Sequence, residues 1–387
     1  MGALEDTKTL LGELIGFPTV SADSNLDMIR HIANRLSECG AKVEIWMDDT
    51  GAKANLFATL GPERDGGIVL SGHSDVVPAA DQTWNSDPFV MVERDGRWYG
   101  RGSCDMKGFV AAAVAMAPRF ARLDLVHPVH FAITHDEETG CRGARDLAAS
   151  LREKRIKPAM AIIGEPTMMQ IIEGHKGCYE YTTRFTGFEG HSSRPDLGVN
   201  AVEHAVRFVH KLLELKGNLK TRSAPSSRFN PPWTTINTGV LQGGSAHNMI
   251  PGKATVKWEM RPVNKSDAAF VKEQLHRFCT QELMPAMRAV HPGAKIETEV
   301  VGEVEALEPT DENEARDLLM ELTGADQAGV VSFGTEAGIF QGLGLSVVVC
   351  GPGSINQAHK PDEFIAVDQV AQCLDMLDRL PTKLLQE

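Results

Sequence analysis

The chain has 387 residues, of which 42% are hydrophobic and 24% charged, with a formal charge of −13 at neutral pH. That length exceeds one ordinary hydrophobic core and predicts two domains in a soluble globular protein. The acidic balance excludes general nucleic-acid binding, which needs a basic footprint. Glu5, Asp6, Lys8 and Glu13 interrupt the apolar residues of Met1–Leu14, and no apolar run reaches the roughly 18 residues of a membrane span. Neither a signal-peptide core nor a membrane partner is expected. The seven cysteines (39, 104, 141, 178, 279, 350 and 373) form no Cys-x-x-Cys pair, which predicts reduced thiols and a cytoplasmic location.

In chain order, Leu26–Cys39 carries a helical apolar pattern closed by Gly40, and Lys42–Trp46 and Asn55–Leu60 follow as strands. Ile68–Leu70, Val129–Thr134 and Met160–Ile163 are short apolar runs of the buried-strand kind, separated by helices at Phe109–Leu123 and Ala144–Lys154. This alternation predicts an α/β sheet with helices on both faces. The middle of the chain changes texture. A strand at Tyr179–Phe185 leads to an amphipathic helix at Val199–Leu215 and a loop at Gly217–Pro232. Strands at Thr235–Leu241 and Ala254–Arg261, a helix at Ser266–Glu282 and a strand at Lys295–Val301 complete it. The order β-α-β-β-α-β predicts a ferredoxin-like α+β domain over 178–304, inserted between the α/β segments 1–177 and 305–387. The α/β pattern returns with a helix at Glu312–Leu322, a strand at Leu345–Cys350 and a helix at Val367–Leu380.

Ligands bind at the carboxyl ends of strands in open α/β sheets. Here Ile68–Leu70 leads to His73 and Asp75, Val129–Thr134 to Glu137 and Glu138, Met160–Ile163 to Glu165, and Leu345–Cys350 to His359. Asp105 stands directly before the helix Phe109–Leu123. Singly, each has an ordinary explanation: a loop histidine, a helix cap, a solvated glutamate. Together, carboxylates gathered at one sheet edge repel unless cations neutralise them. Two histidines and three carboxylates without cysteine suit zinc, cobalt or manganese, and a further carboxylate can move the proton of an activated water. The inventory is that of a dinuclear hydrolase. His-Glu-x-x-His, Gly-x-Ser-x-Gly, Walker and Gly-x-Gly-x-x-Gly signatures are absent.

Five motifs occur in fixed order: Ser71-Gly72-His73-Ser74-Asp75-Val76-Val77-Pro78; Gly100-Arg101-Gly102 with Asp105-Met106-Lys107-Gly108; Glu137-Glu138-Thr139-Gly140; Gly164-Glu165-Pro166-Thr167; and Ala358-His359-Lys360-Pro361-Asp362-Glu363. Together they resemble the co-catalytic zinc amidohydrolase and aminoacylase family, over nearly the whole chain. The resemblance implies a zinc-peptidase-like catalytic domain with an inserted lid and dimerisation domain. It implies that Asp105 bridges two divalent metals, Zn2+ first and Co2+ as the alternative. His73 and Glu165 would complete one site, and Glu138 and His359 the other. Asp75 would support His73, and Glu137 would be the general base.

Within the inserted domain, Gly190-His191-Ser192-Ser193-Arg194-Pro195 resembles the family's lid histidine motif. This implies that His191 stabilises the oxyanion, across a homodimer. Asn248 and Arg261 match lid positions that hold substrate, and a planar guanidinium suits a carboxylate; a surface ion pair is the plainer reading of Arg261. Ser332-Phe333-Gly334-Thr335-Glu336-Ala337-Gly338 looks like the deacetylase form of the substrate loop, with Thr335 as the candidate contact. His175-Lys176-Gly177-Cys178 stands where the desuccinylases carry Arg-Arg-Gly, and Phe109 resembles the acetylornithine deacetylase branch. The implied reaction is hydrolysis of N2-acetyl-L-ornithine to L-ornithine and acetate, a step of arginine biosynthesis. The alternatives are a succinyl-diaminopimelate desuccinylase, another N-acyl-amino-acid hydrolase or dipeptidase, and a non-catalytic binding homologue.

Overall fold

The computed structural model describes residues 2–384. The chain divides into two compact units, one comprising Met1–Gly174, Pro309–Val330 and Thr335–Glu387, the other His175–Glu308 and Val331–Gly334.

The first unit is built on an eight-stranded sheet. Its strand order is Lys42–Met47, Ala54–Leu60, Val129–Thr134, Ile68–His73, Met160–Pro166, Ser346–Gly351, Ile172–His175 and Gly329–Val331. The four strands from Val129–Thr134 to Ser346–Gly351 run parallel, flanked by antiparallel pairings. Every residue of Ile68–His73 and Val129–Thr134 is buried. Successive side chains point to opposite faces, so both faces of the sheet are covered, as the continuous apolar runs require. In Leu26–Glu38 the stripe Met28, Ile29, Ile32, Ala33 and Leu36 turns inward. The helix Gly108–Phe120 is buried almost all round, its Ala-rich surface packing against both the sheet and the helices Ala3–Ile15 and Val367–Arg379.

Several observed elements depart from the sequence expectations. Ala3–Ile15 is helical, burying Leu10, Leu11, Leu14 and Ile15, although its interspersed charges hide the stripe. The helix expected over Val199–Leu215 runs on to Thr221, because Leu219 is buried beyond the expected end. The helix expected to stop at Glu282 continues through a wide turn at Cys279–Leu283 into Met284–Val290.

The central helix is seated by one glycine. A Cβ on Gly164 would lie 1.9 Å from the Phe109 ring, so this ring occupies the space beside the strand residue that precedes Glu165. Gly164→Ala forces the ring or the strand to move and is expected to cost about 1–3 kcal/mol or more. A urea midpoint equal to that of the wild type would show that the packing yields freely.

The second unit is a four-stranded antiparallel sheet in the order Thr235–Gly243, Lys253–Arg261, Cys178–Thr186, Lys295–Val304. With the helices Ala201–Thr221 and Lys265–Phe278 it has the ferredoxin-like arrangement. Its core joins Phe208, Leu212 and Leu215 with Val271, Leu275, Phe185 and the stacked pair Tyr181–Trp258, ring centroids 4.4 Å apart.

Candidate active site

The parallel strands end together, and their ends collect the charged residues. His73 closes its strand, Glu165 lies near the end of Met160–Pro166, and Glu137 and Glu138 occupy the turn after Val129–Thr134. Asp105 sits in the wide turn Ser103–Lys107 that feeds the helix Gly108–Phe120. His359 arrives on the loop after Ser346–Gly351, its backbone in the left-handed region at φ 61°.

His73 Nε2 lies 3.0 Å from Asp105 Oδ1 and 3.7 Å from Glu165 Oε1. His359 Nε2 lies 3.4 Å from Asp105 Oδ2 and 3.0 Å from Glu138 Oε2. One Asp105 oxygen therefore faces each histidine. Potential ligand atoms of His73, Asp105 and Glu138 all lie within 4.8 Å of one another, as do those of His73, Glu137 and Glu165. The structure thus brings together His73, Asp105, Glu137, Glu138, Glu165 and His359, residues separated by up to 286 positions in the chain.

Asp75 acts differently from its carboxylate chemistry. His73 Nδ1 is 2.9 Å from the Asp75 main-chain carbonyl but 3.7 Å from its carboxylate, too far for a hydrogen bond. A proton on Nδ1 bonded to that carbonyl leaves Nε2 free to act as a ligand atom. The carboxylate instead accepts from Ser21 Oγ at 2.7 Å and from the main-chain N–H groups of Glu137 at 3.1 Å and Glu138 at 3.3 Å. Asp75 therefore holds the turn that carries both glutamates.

The electrostatics are those of an overcrowded anionic site. Burial pushes Glu137 up to about 8, against the opposing pull of His73 and reinforced by Glu138 and Asp105. Burial, then the Asp105 charge, raises Glu138; burial with Asp105 and Glu137 raises Glu165 well above the carboxylate range. For Asp105, burial is outweighed by hydrogen bonds from His359 and His73, which hold it well below its ordinary value. His73 is raised well above 6.5 because the Asp105 hydrogen bond and surrounding carboxylates overcome burial. Hydrogen bonds to Asp105 and Glu138 lift His359 to about 10. Four carboxylates and two histidines converging in this way are the donor set that hard-to-borderline divalent cations require, and bound cations would relieve the repulsion.

Three further residues near the site are missing from the sequence reading of single positions. Glu336 is buried, accepting from Ser71 Oγ at 2.6 Å and Thr134 Oγ1 at 2.7 Å. The Cys141 thiol is 3.3 Å from Glu137 Oε1. Glu363 accepts from the turn that presents Asp105. Local sequence signals none of these contacts, although Glu336 and Glu363 stand inside recognised motifs.

Thr335 is buried, and its hydroxyl accepts from Ala337 N–H at 3.1 Å, at the start of the helix Ala337–Gln341. On the second unit, His191 and Asn248 lie close together: the strand Gly190–His191 pairs with Met249–Ile250, and Ser192 N–H donates to the Asn248 carbonyl at 3.1 Å. His191 is exposed, with Nδ1 2.8 Å from Ser193 Oγ. Arg261 pairs with Glu259 at 3.2 Å.

A family model described as Peptidase family M20/M25/M40 matches residues 69–383. The chain belongs to this family. It is similar to an acetylornithine deacetylase of Proteus mirabilis, 36% identical over 379 residues, which cover 96% of this chain and 95% of that one. In structure it is similar to an M20 family metallo-carboxypeptidase from Sulfolobus solfataricus, with a TM-score of 0.74, 17% identity and coverage of 98% and 99%. It is also similar to a dinuclear metal-binding M20 peptidase from Bacillus subtilis, with a TM-score of 0.64, 16% identity and coverage of 99% and 98%. The likeness, with the family match, shows that this chain has the M20 peptidase fold, its zinc-peptidase-like α/β unit accompanied by the ferredoxin-like second unit. As a member of M20/M25/M40 the chain is a metal-dependent hydrolase of the amidohydrolase type. Among its described residues no helix is long and apolar enough to cross a membrane.

Proposed function

We propose that this M20 chain hydrolyses an N-acyl amino acid, with N2-acetyl-L-ornithine as the substrate and L-ornithine and acetate as the products. The observation that carries the chemistry is Asp105 placed between His73 and His359 with one oxygen toward each. The choice of substrate rests on the 36% identity to an acetylornithine deacetylase over almost the full length of both chains.

In this reading His73, Asp105 and Glu165 hold one divalent cation and Asp105, Glu138 and His359 the other. Zinc is the first choice and cobalt the alternative. When bound, the pair supplies Lewis acidity toward the acyl carbonyl and lowers the pKa of the attacking water. Glu137 takes the proton from that water as it attacks and returns it to the leaving amine. Asp75 holds Glu137 in place through the main chain. His191 and Asn248 donate to the tetrahedral oxyanion, each well-placed donor contributing about 3–4 kcal/mol. Arg261 exchanges Glu259 for the substrate α-carboxylate, and Thr335 shapes the substrate loop.

The 178–304 segment serves as lid and dimerisation domain. The edge strand Thr235–Gly243 exposes Val240 and Leu241, and the helix Ala201–Thr221 exposes Val206 and Leu213. A homodimer through this domain would cover such surfaces. The seven cysteines are dispersed along the chain with no Cys-x-x-Cys pair, which supports a cytoplasmic enzyme.

A substrate panel tests this reading. N2-acetyl-L-ornithine, succinyl-diaminopimelate, acetylmethionine and simple dipeptides are offered to enzyme reconstituted separately with zinc and cobalt. Acetylornithine should show a kcat/KM at least about tenfold above the others, a difference of about 1.4 kcal/mol in transition-state binding. A preference for dipeptides would reassign the substrate, and metal uptake with no turnover on any compound would sink the enzymatic reading.

A further inference from the structure

We propose that Glu363, paired with Arg101, is a positioning residue that sets metal affinity by holding the Asp105 turn; this rests on the dinuclear reading above. The Glu363 carboxylate is buried and all its acceptor directions are used. Oε2 accepts from Arg101 Nη1 at 2.8 Å and Gly102 N–H at 2.9 Å; Oε1 accepts from Cys104 N–H at 2.8 Å and Asp105 N–H at 3.0 Å.

The amides it captures cannot be satisfied by a helical ladder. Asp105 and Met106 have non-helical backbones, with φ/ψ of −120°/93° and −134°/32°. A buried N–H without a partner is costly, so a carboxylate that gathers those of Gly102, Cys104 and Asp105 defines the path of the turn. That path places Asp105 3.0 Å from His73 and 3.4 Å from His359.

Arg101 extends the same brace to His359. It is buried, and its Nη1 also reaches the Lys360 carbonyl at 3.3 Å. Its Nη2 reaches the Pro78 carbonyl at 3.4 Å and the Gln82 side-chain oxygen. Gln82 Nε2 in turn donates to the His359 carbonyl at 2.8 Å. The chain segments on both sides of the Asp105–His359 couple are thus fastened to one buried ion pair. Neither Arg101 nor Glu363 is among the residues that contact the cations in the dinuclear reading.

Glu363→Gln keeps the shape but turns an NH2 group toward two N–H donors, whichever way the amide lies. Supporting groups of this kind typically change metal affinity by about 10–100-fold. Because the single variant leaves Arg101 buried without its counter-charge, the double variant Arg101→Met/Glu363→Gln is made alongside it. Zinc affinity is measured on the stripped full-length proteins by competition with a chromophoric chelator, and activity is followed as zinc is raised. Both variants should bind zinc about 10–100-fold more weakly than the wild type. Their activity should keep rising over zinc concentrations at which the wild type is already saturated. A pair that served only general stability would lower the folded fraction without moving the zinc dependence. Wild-type zinc affinity in either folded variant would overturn the proposal. A wild-type chain that took up no zinc would instead sink the dinuclear reading, and this inference with it.

Discussion

Glu137→Gln should lower kcat by about 10²–10⁴-fold, the usual contribution of a positioned general base, while leaving the bound metal at its wild-type stoichiometry. An amide matches the carboxylate in size but cannot take the proton of the attacking water. Glu137 is suited to the role because burial pushes its carboxyl up to about 8, and bound cations would bring it back toward the ionised form that a base needs. The main chain of the same residue is pinned by Asp75 and its side chain touches the Cys141 thiol, so the substitution disturbs little beyond the proton acceptor. Steady-state kinetics together with elemental metal analysis reads both quantities. Near-normal turnover in this variant would remove Glu137 from the role of base. A loss of metal would mean that it acts as a ligand, the arrangement in which its oxygen lies within 4.8 Å of ligand atoms of His73 and Glu165.

Stripping the metal should destabilise the protein, and by more at alkaline than at acidic pH. A carboxyl raised from 4.5 to about 8 in the folded chain keeps its proton over that window while the unfolded chain has lost it. Stability therefore falls as pH rises through the window, by about 1.4 kcal/mol per pH unit for each group behaving so. Glu138 and Glu165 are raised in the same sense. His359, raised from 6.5 to about 10, adds stability that is complete below 6.5 and lost as pH climbs toward 10. The signs of these site groups agree. Buried His130 and His175, each held down to about 4, and Lys107, held down to about 7, act in the opposite sense. The more numerous site groups should still leave the stripped protein less stable at about pH 8 than at about pH 5.5. Zinc restores it by mass action, by about 4 kcal/mol at a free concentration 1,000 times its Kd. Because it favours the ionised ligands, it should also flatten the pH dependence. Urea midpoints of the stripped and reloaded protein at about pH 5.5 and pH 8 measure this. A stripped protein as stable at the higher pH as at the lower would contradict it.

Much of the centre was legible because its residues sit at the ends of recognisable elements. His73, Glu165 and the Glu137–Glu138 turn follow apolar runs that can only be buried strands, and parallel strands deliver their carboxyl ends to one edge. Asp105 was legible from its place before a helix, within a glycine-rich motif. The division of labour between neighbours was less so. Asp75 carries the chemistry of a histidine partner, yet it reaches His73 through its carbonyl and spends its carboxylate on the amides of Glu137 and Glu138. Arg261 meets Glu259 two positions back along its own strand, a contact that local spacing allows but does not demand.

The residues by themselves determined the parallel α/β unit, the ferredoxin-like insertion and the identity of the acidic and imidazole groups that meet at the sheet edge. Those properties follow from periodicity and from side-chain chemistry, both of which are local. What only the tertiary structure decided is how that edge is held. Glu363 reaches Asp105 across 258 positions and Glu336 reaches Ser71 across 265. Lys107, in a motif read for its neighbour, is wholly buried and donates to the carbonyls of Leu14 and Phe17 at the end of the first helix. A buried donor or acceptor must find a partner wherever the fold supplies one, and that choice is made in space, between segments with no periodic relation along the chain.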